Sequence, residues 1–442
     1  VTYRRRVVDD ELDEMLTARS SVLIEGARGV GATATASARA SVTFDLSDSA
    51  QSEVLAADPT QIDAIAGTVL LDAAPSTHPA RTHALARHPA NPANPANRSQ
   101  CIVTSQVTRL ALDDPFEAHT GRIRMRPLSL SERDLATPTV SLGALLGGGR
   151  PPVSGTRDLG LTTYVDEILA SGFPALRPLP TRLRAAQLDR YLDSAIEQDL
   201  PALGLRVRRP LILRSWLRAY AAATSTTTTQ RAIADAAAPR DARAPRDARG
   251  NGPVAGDGGR PAKTTAIVYR ELLAELGILD PVPGMRDGVG PLGRLTSAPK
   301  HHLVDVALAA RLVGADAEDL LRGRSITPEL PRAGSLLGAF FESLVTSSIR
   351  VYAQPHRLDV RHLRTKDGRH AVDLVLVRDD GKVLACEIIL GREPAEADLR
   401  ELHWLSGVLG HRLVDSIVVT SGPAAYRRDD GIAVVPATLL GP

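Results

Sequence analysis

Ser21-Val-Leu-Ile-Glu-Gly-Ala-Arg-Gly-Val-Gly-Ala-Thr33 is the stretch on which the fold turns. Its opening residues form a short apolar run, the pattern of a buried strand. Gly26-Ala-Arg-Gly-Val-Gly31 follows as a glycine-rich turn, and Ala32 to Ala40 is compatible with a helix. Working outward, Val42–Asp45, Thr68–Asp72 and Cys101–Thr104 have the same strand character, the second of them ending on a carboxylate. Strands that alternate with helical stretches predict an α/β unit built on a mostly parallel sheet with both faces covered.

The chain has 442 residues, which at roughly 150 per domain suggests about three domains. It is 43% hydrophobic and 24% charged, with only 3% aromatics, so the core must be built from Leu, Val, Ile and Ala. With 53 basic and 51 acidic residues the formal charge is +2, and no global basic field points to nucleic acid. Cys101 and Cys386 both lie in apolar runs and read as buried thiols; two cysteines exclude a disulfide framework or a cysteine-rich metal site. No secretory leader is read, and no apolar run reaches the ~18 residues that span a bilayer. A cytoplasmic location without membrane contact is the expectation.

Three regions are expected. Residues 1–156 form the parallel-sheet domain, 157–333 a helical region and 334–442 a second α/β domain. Within the first, the Pro89–Asn97 triplet repeat reads as a loop. Within the second, 239–262 reads as a disordered insertion, and Lys263–Gly277 as an amphipathic helix with a glycine stop. Ile278–Val282 and Leu292–Leu295 read as a small hairpin, which would make this region winged-helix-like. In the third, a helix from Leu336 to Val351 precedes strands at 359–363, 371–377, 382–390 and 416–420, with a helix at 394–409.

The opening stretch also carries chemistry. A phosphate-binding Walker A loop has the pattern Gly-x4-Gly-Lys-Ser/Thr, in which backbone N–H groups wrap phosphates, the lysine reaches the β- and γ-phosphates and the hydroxyl holds Mg²⁺. Gly26 and Gly31 have that spacing, Arg28 and Gly29 lie between them, and Thr33 stands at the metal position. Position 32 is alanine. Asp72 fits the Walker B carboxylate that orients Mg²⁺, and Ala73 follows it. About three glycine pairs with this spacing arise by chance among 35 glycines, so the weight rests on the strand before the loop, the helix after it, Thr33 and Asp72. A glycine turn that binds no nucleotide fits the same residues.

These residues resemble a family, the prokaryotic predicted AAA-type ATPases with a C-terminal domain of unknown function similar to the PD-(D/E)xK nuclease fold. The resemblance runs through Tyr3-Arg-Arg-Arg6, the loop up to Thr33, Val69–Asp72, Gly121–Arg133, Ser171-Gly-Phe-Pro174, Glu197–Leu200, Ala298-Pro-Lys-His301 with Asp305, Gly338–Glu342, Ala371–Leu376 and Cys386–Ile389. It implies an N-terminal ATPase domain of P-loop type, a helical and winged-helix middle, and a restriction-endonuclease-like end. It places Thr104 at a polar sensor position. It makes Arg122 either a phosphate-sensing or finger arginine or, the favoured reading, a structural one. AAA-type ATPases usually carry a glutamate where Ala73 stands, to polarise the attacking water. The nuclease likeness implies a metal held by Glu342, Asp373 and Glu387, with a lysine two residues after Glu387; that position is Ile389. A non-catalytic scaffold is the favoured reading of those carboxylates.

The leading expectation is therefore a degenerate member of this family that binds ATP and Mg²⁺ with weakened affinity and acts through binding rather than turnover. Two alternatives stay open. One is a slow ATPase using Arg28 as a substitute cation. The other is a DNA-binding or toxin–antitoxin-like regulator using the 205–300 region, where Arg206, Arg208, Arg209 and Arg214 cluster.

Overall fold

Val22-Leu-Ile24 is fully buried at the centre of a parallel sheet. The computed structural model describes residues 3–19, 21–75, 78–85, 100–106, 120–238, 261–285, 292, 295–324, 330 and 334–442. The Pro-Ala-Asn repeat and nearly all of the 239–262 insertion lie outside them. The chain divides into two compact units, residues 1–128 with 274–278, and residues 129–273 with 279–442. The division expected at 156 thus falls at 128, and the helical and C-terminal regions share one unit.

In the first unit, strands β1 (Ser21–Gly26), β2 (Val42–Asp45), β3 (Thr68–Asp72), β4 (Gln100–Ser105) and β5 (Thr120–Met125) form one sheet in the order β2-β3-β4-β1-β5, parallel throughout. Helices α1 (Val8–Ala18), α2 (Ala32–Ser37), α3 (Ser49–Ala57) and α4 (Pro79–Leu85) accompany it. Leu23, Val69, Leu71, Cys101 and Val103 of the sheet pack with Leu55 of α3 and Ala80 and Ala84 of α4. The sequence pattern marked four of the five strands. β5 escaped it because Arg122 and Arg124 interrupt the apolar run. Their presence is tolerated because β5 is an edge strand, bonded among the described residues only to β1. From β1 the chain runs to one edge of the sheet and returns, and β5 is added on the other side. Such a reversal opens a crevice at the carboxyl ends of the strands, where α/β sheets bind ligands. The loop 26–31 lies there.

The second unit contains β6 (Val140–Ser141), β7 (Asp359–Arg364), β8 (Ala371–Val377), β9 (Val383–Ile388), β10 (Leu413–Thr420), β11 (Tyr426–Arg427), β12 (Ala433–Pro436) and β13 (Leu440–Gly441). Six of them form a mixed sheet in the order β11-β12-β10-β9-β8-β7, and β6 pairs with β13. That last pairing ties residues 140–141 to the C-terminal residues, which is one reason the 129–156 segment belongs here. The helices are α5 (Leu142–Leu146), α6 (Leu161–Leu169), α7 (Thr181–Ser194), α8 (Leu200–Ala202), α9 (Pro210–Ala222), α10 (Gln230–Ala236), α11 (Lys263–Glu275), α12 (Val306–Val313), α13 (Ala317–Arg322), α14 (Leu336–Ala353) and α15 (Glu396–Leu409). Leu399, Leu402, Leu405 and Leu409 recur every three to four residues and lay one face of α15 on Val375, Val383, Ala385 and Val418 of the sheet. Trp404 of the same helix stacks on His370, with ring centroids 3.9 Å apart. Trp216 of α9 is fully buried against Tyr220 and Tyr269.

Of the expected hairpin of 278–282 with 292–295, residues 286–291, 293 and 294 lie outside the described residues, and the described ones pair elsewhere. Val282 and Lys300 exchange both backbone hydrogen bonds at 2.9 Å, Leu279 bridges Leu303, and Leu295 bridges Thr365. Segments adjacent in sequence thus take partners further along the chain, and residues 300–303 become strand-like.

Asp305 explains two of the sequence's shared motifs at once. One carboxylate oxygen caps α12 through the N–H of Ala307 at 2.8 Å, while the other accepts from the Ser171 hydroxyl at 2.5 Å and the Gly172 N–H at 2.8 Å. Its side chain is buried, so these donors have no solvent alternative. Asp305→Ala should destabilise the second unit by about 2–4 kcal/mol, a lost cap plus stranded buried donors. Urea unfolding followed by circular dichroism measures this, and a loss below about 0.5 kcal/mol would contradict the assignment.

Candidate functional site

The loop after β1 is shaped by glycine where nothing else fits. A Cβ on Gly26 would stand 2.5 Å from the Met125 carbonyl oxygen and 2.9 Å from Val30 Cγ2. Gly29 and Gly31 have φ of 85° and 103°, the left-handed region that side chains disfavour. The buried Arg6 guanidinium braces the loop from behind, donating to the carbonyls of Val30 and Arg126 at 2.8 Å each. Its backbone N–H donates to Asp9 Oδ2 at 2.5 Å, and the Tyr3 hydroxyl also engages Asp9. Arg39 pairs with the fully buried Asp9 at 2.9 Å. The opening Tyr3-Arg-Arg-Arg6 therefore holds α1 against the loop and α2.

Three of the residues singled out in the sequence meet at the carboxyl edge of this sheet. Thr33 Oγ1 donates to Asp72 Oδ1 at 2.9 Å, and Thr104 Oγ1 donates to the same oxygen at 2.5 Å. The N–H of Ala73 donates to Thr104 Oγ1 at 2.9 Å, and the N–H of Ala74 to the Thr104 carbonyl at 3.0 Å. Ala73 has φ of 51°, so the chain after Asp72 turns sharply. Arg122 is committed elsewhere, with Nε and Nη2 on the two carboxylate oxygens of the buried Glu25 at 2.5 and 3.0 Å. Arg28 lies half-buried in the loop.

Arg81 of α4 carries no motif that would have marked it in the sequence. Its guanidinium is buried and donates through Nη1 to the Ala74 carbonyl at 3.1 Å and to Ser105 Oγ at 3.3 Å, at the ends of β3 and β4. Nη2 has no hydrogen-bond partner among the described residues. Burial lowers its pKa to about 10, partly offset by Glu25 and reinforced by Arg122.

The second unit assembles another cluster. Lys300 Nζ stands 2.8 Å from Glu342 Oε1 and 2.9 Å from Asp373 Oδ1. Asp373 Oδ2 accepts the N–H of Ile388 at 3.0 Å, and Glu387 precedes that residue at the end of β9. Glu387 Oε1 is buried without a partner among the described residues. The three expected carboxylates are thus brought together, with an ammonium among them that the sequence reading did not place. Ile389, where a lysine was looked for, packs against the core beneath α15. Among the described residues no group of three or more His, Cys, Asp or Glu side chains is arranged to hold a metal.

The segment bearing Lys300 is pinned from two sides. His301 exchanges backbone hydrogen bonds of 2.8 Å with Ser225 and Thr226, and the His302 carbonyl accepts from Asp280 N–H at 3.0 Å. The Ser225 hydroxyl in turn donates to the Ala339 carbonyl of α14 at 2.8 Å. A cavity of about 800 Å³ opens over the cluster, with Ser225–Thr229 on one wall, Ser335 and Gly338 on another, and Lys300, Glu342 and Asp373 exposed to it.

The charge states follow from these contacts. Burial works against the Lys300 ammonium, but Asp373 and Glu342 outweigh it and raise its pKa. Burial and the repulsion of Asp373 push Glu342 up to about 8, with Lys300 opposing. Burial opposes the charge on Asp373 too, yet Lys300 and the bonds from Glu387 and Ile388 hold its pKa low. Glu387 is raised well above the ordinary value by burial and by Asp373. His362 on the cavity wall falls to about 4 through burial and the nearby Lys300.

Residues 337–440 match the model of a domain of unknown function, DUF4143, and residues 161–319 match a second, DUF8612. The expectation of a C-terminal domain of unknown function is met by the first. No curated protein matches the chain. Among solved structures, the Walker-type ATPase of Pyrococcus abyssi is similar at 14% sequence identity and a TM-score of 0.34, over 70% of this chain and 96% of that one. No described helix is long and apolar enough to cross a membrane.

Glu342 supplies a prediction. A carboxyl whose pKa is raised on folding contributes stability that is present below its ordinary value of 4.5 and is lost as pH rises through about 8. Glu342→Gln should therefore flatten the decline in urea midpoint between about pH 5 and pH 8. An unchanged slope would locate the proton on another group.

Proposed function

We propose that the first unit is a nucleotide-binding module of the AAA-ATPase type that holds a magnesium nucleotide weakly and turns it over poorly, so that the protein acts through binding. One observation carries this reading. Thr33, Asp72 and Thr104 converge on one carboxylate oxygen beside the Gly29–Gly31 turn, while methyl groups stand at positions 32 and 73.

The residues fit a magnesium ion. Asp72 Oδ1 takes both hydroxyl hydrogens, and the Asp72 carboxylate and the Thr33 oxygen lie together at the half-exposed strand end. Magnesium is commonly held by one or two protein oxygens together with phosphates. Thr33 and Asp72 would hold it here, and bound magnesium neutralises phosphate charge. Thr104 fixes the Asp72 rotamer and, through its bond to the Ala73 N–H, the turn that follows.

Two losses set the expected behaviour. Without a lysine at 32, the β- and γ-phosphates lack a charge-assisted hydrogen bond worth about 1.5–3 kcal/mol, or roughly 10–100-fold in affinity. Without a carboxylate at 73, nothing at that position polarises an attacking water, and transition-state charge goes unmet. Arg6 does not compensate, since it donates to the carbonyls of Val30 and Arg126 behind the loop, and Arg81 Nη1 is engaged by the Ala74 carbonyl and Ser105 Oγ at the ends of β3 and β4.

Titration of the full chain with a fluorescent ATP analogue, with and without Mg²⁺, tests the reading. The native chain should bind weakly, and Ala32→Lys should bind roughly 10–100-fold more tightly when Mg²⁺ is present. Hydrolysis of Mg-ATP by the native chain at an ordinary rate, on the order of 10 s⁻¹, would refute the loss of turnover. A folded Ala32→Lys variant with no nucleotide affinity would refute the site.

A further inference from the structure

The carboxylate cluster of the second unit stands apart from the nucleotide reading. A nuclease-like fold implies a divalent metal on Glu342, Asp373 and Glu387, and the geometry disagrees. Both oxygens of Asp373 already have donors: Oδ1 takes the Lys300 ammonium at 2.9 Å, and Oδ2 takes the Ile388 N–H at 3.0 Å. Glu342 Oε1 takes the same ammonium at 2.8 Å. These are the lengths of charge-assisted hydrogen bonds. A metal bridging Glu342 and Asp373 would have to stand where Nζ stands.

Expelling that ammonium is opposed by the way its segment is held. Lys300 exchanges both backbone hydrogen bonds with Val282, and the next residue, His301, does the same with Ser225 and Thr226. The Lys300 side chain is only 10% exposed. Swinging it out would leave the largely buried Asp373 carboxylate without its cation, and removing one partner of a buried ion pair is strongly unfavourable.

We infer that the Lys300 ammonium is the resident cation of this carboxylate cluster, occupying the place of a divalent metal and keeping such metals out. The position two residues after Glu387 then needs no lysine, and Ile389 is free to join the core under α15. The cavity offers an entering ligand an ammonium, two carboxyl groups and a wall of hydroxyls from Ser225 to Thr229, with no metal to bridge phosphate oxygens.

Mn²⁺ binding to the full chain, counted by electron paramagnetic resonance without nucleotide, tests this. The native chain and Lys300→Arg should show no Mn²⁺ that depends on Asp373. Lys300→Met, which keeps the length and removes the charge, should gain one Mn²⁺ per chain at least tenfold tighter than any native binding, and adding Asp373→Asn should abolish it. A folded Lys300→Met variant that gains no Mn²⁺ overturns the inference. So does one Mn²⁺ on the native chain that disappears in Asp373→Asn, a comparison that holds even if Lys300→Met fails to fold.

Discussion

The pairing of Lys300 with Glu342 and Asp373 is the constraint around which the second unit is arranged. An ammonium this enclosed is stable only where carboxylates meet it, and the carboxylates are tolerable only where it meets them. Satisfying that condition brings four stretches to one point: the strand-like 300–303, the first turns of α14, β8 and the end of β9. The serine and threonine run from 225 to 229 is drawn in through His301 and Ala339, which explains a sequence feature with no helical or strand pattern of its own.

The two sites differ in where their charges stand. At the first, glycines, two hydroxyls and a carboxylate meet beside methyl groups at 32 and 73. At the second, Ile389 joins the core under α15, and Lys300, from another segment, meets the carboxylates. Taken residue by residue, Ala32 and Ile389 look alike, yet only at the second site does a distant segment bring an ammonium to the carboxylates. Arg81 illustrates the limit of such supply, since its guanidinium reaches the ends of β3 and β4 but is turned to the Ala74 carbonyl and Ser105.

What could be read from the sequence follows the range of the interactions involved. β1, its loop and α2 are local and periodic, and the strands ending at Asp72 and Ser105 announced themselves as apolar runs. The meeting of Thr33, Asp72 and Thr104 was legible because a parallel sheet necessarily places the carboxyl ends of neighbouring strands together. β5 was not legible, since its arginines break the apolar pattern and are accommodated only through an edge position and the Glu25 pair. Lys300 was quoted as part of a motif yet given no role, because nothing in Ala298-Pro-Lys-His301 reveals that its partners lie 42 and 73 residues further on. The pairing of Val282 with Lys300 was hidden for the same reason, since the two are 18 residues apart and neighbouring apolar segments suggest a partner nearer in sequence.

The placement of the aromatic residues has an optical consequence. The chain's two tryptophans, Trp216 and Trp404, both lie in the second unit, one fully buried beside Tyr220 and the other stacked face to face on His370. Intrinsic tryptophan emission is therefore a selective reporter. It follows the ammonium-centred unit, while the glycine-loop unit, which has no indole, is dark in that channel and open to a single introduced fluorophore without background.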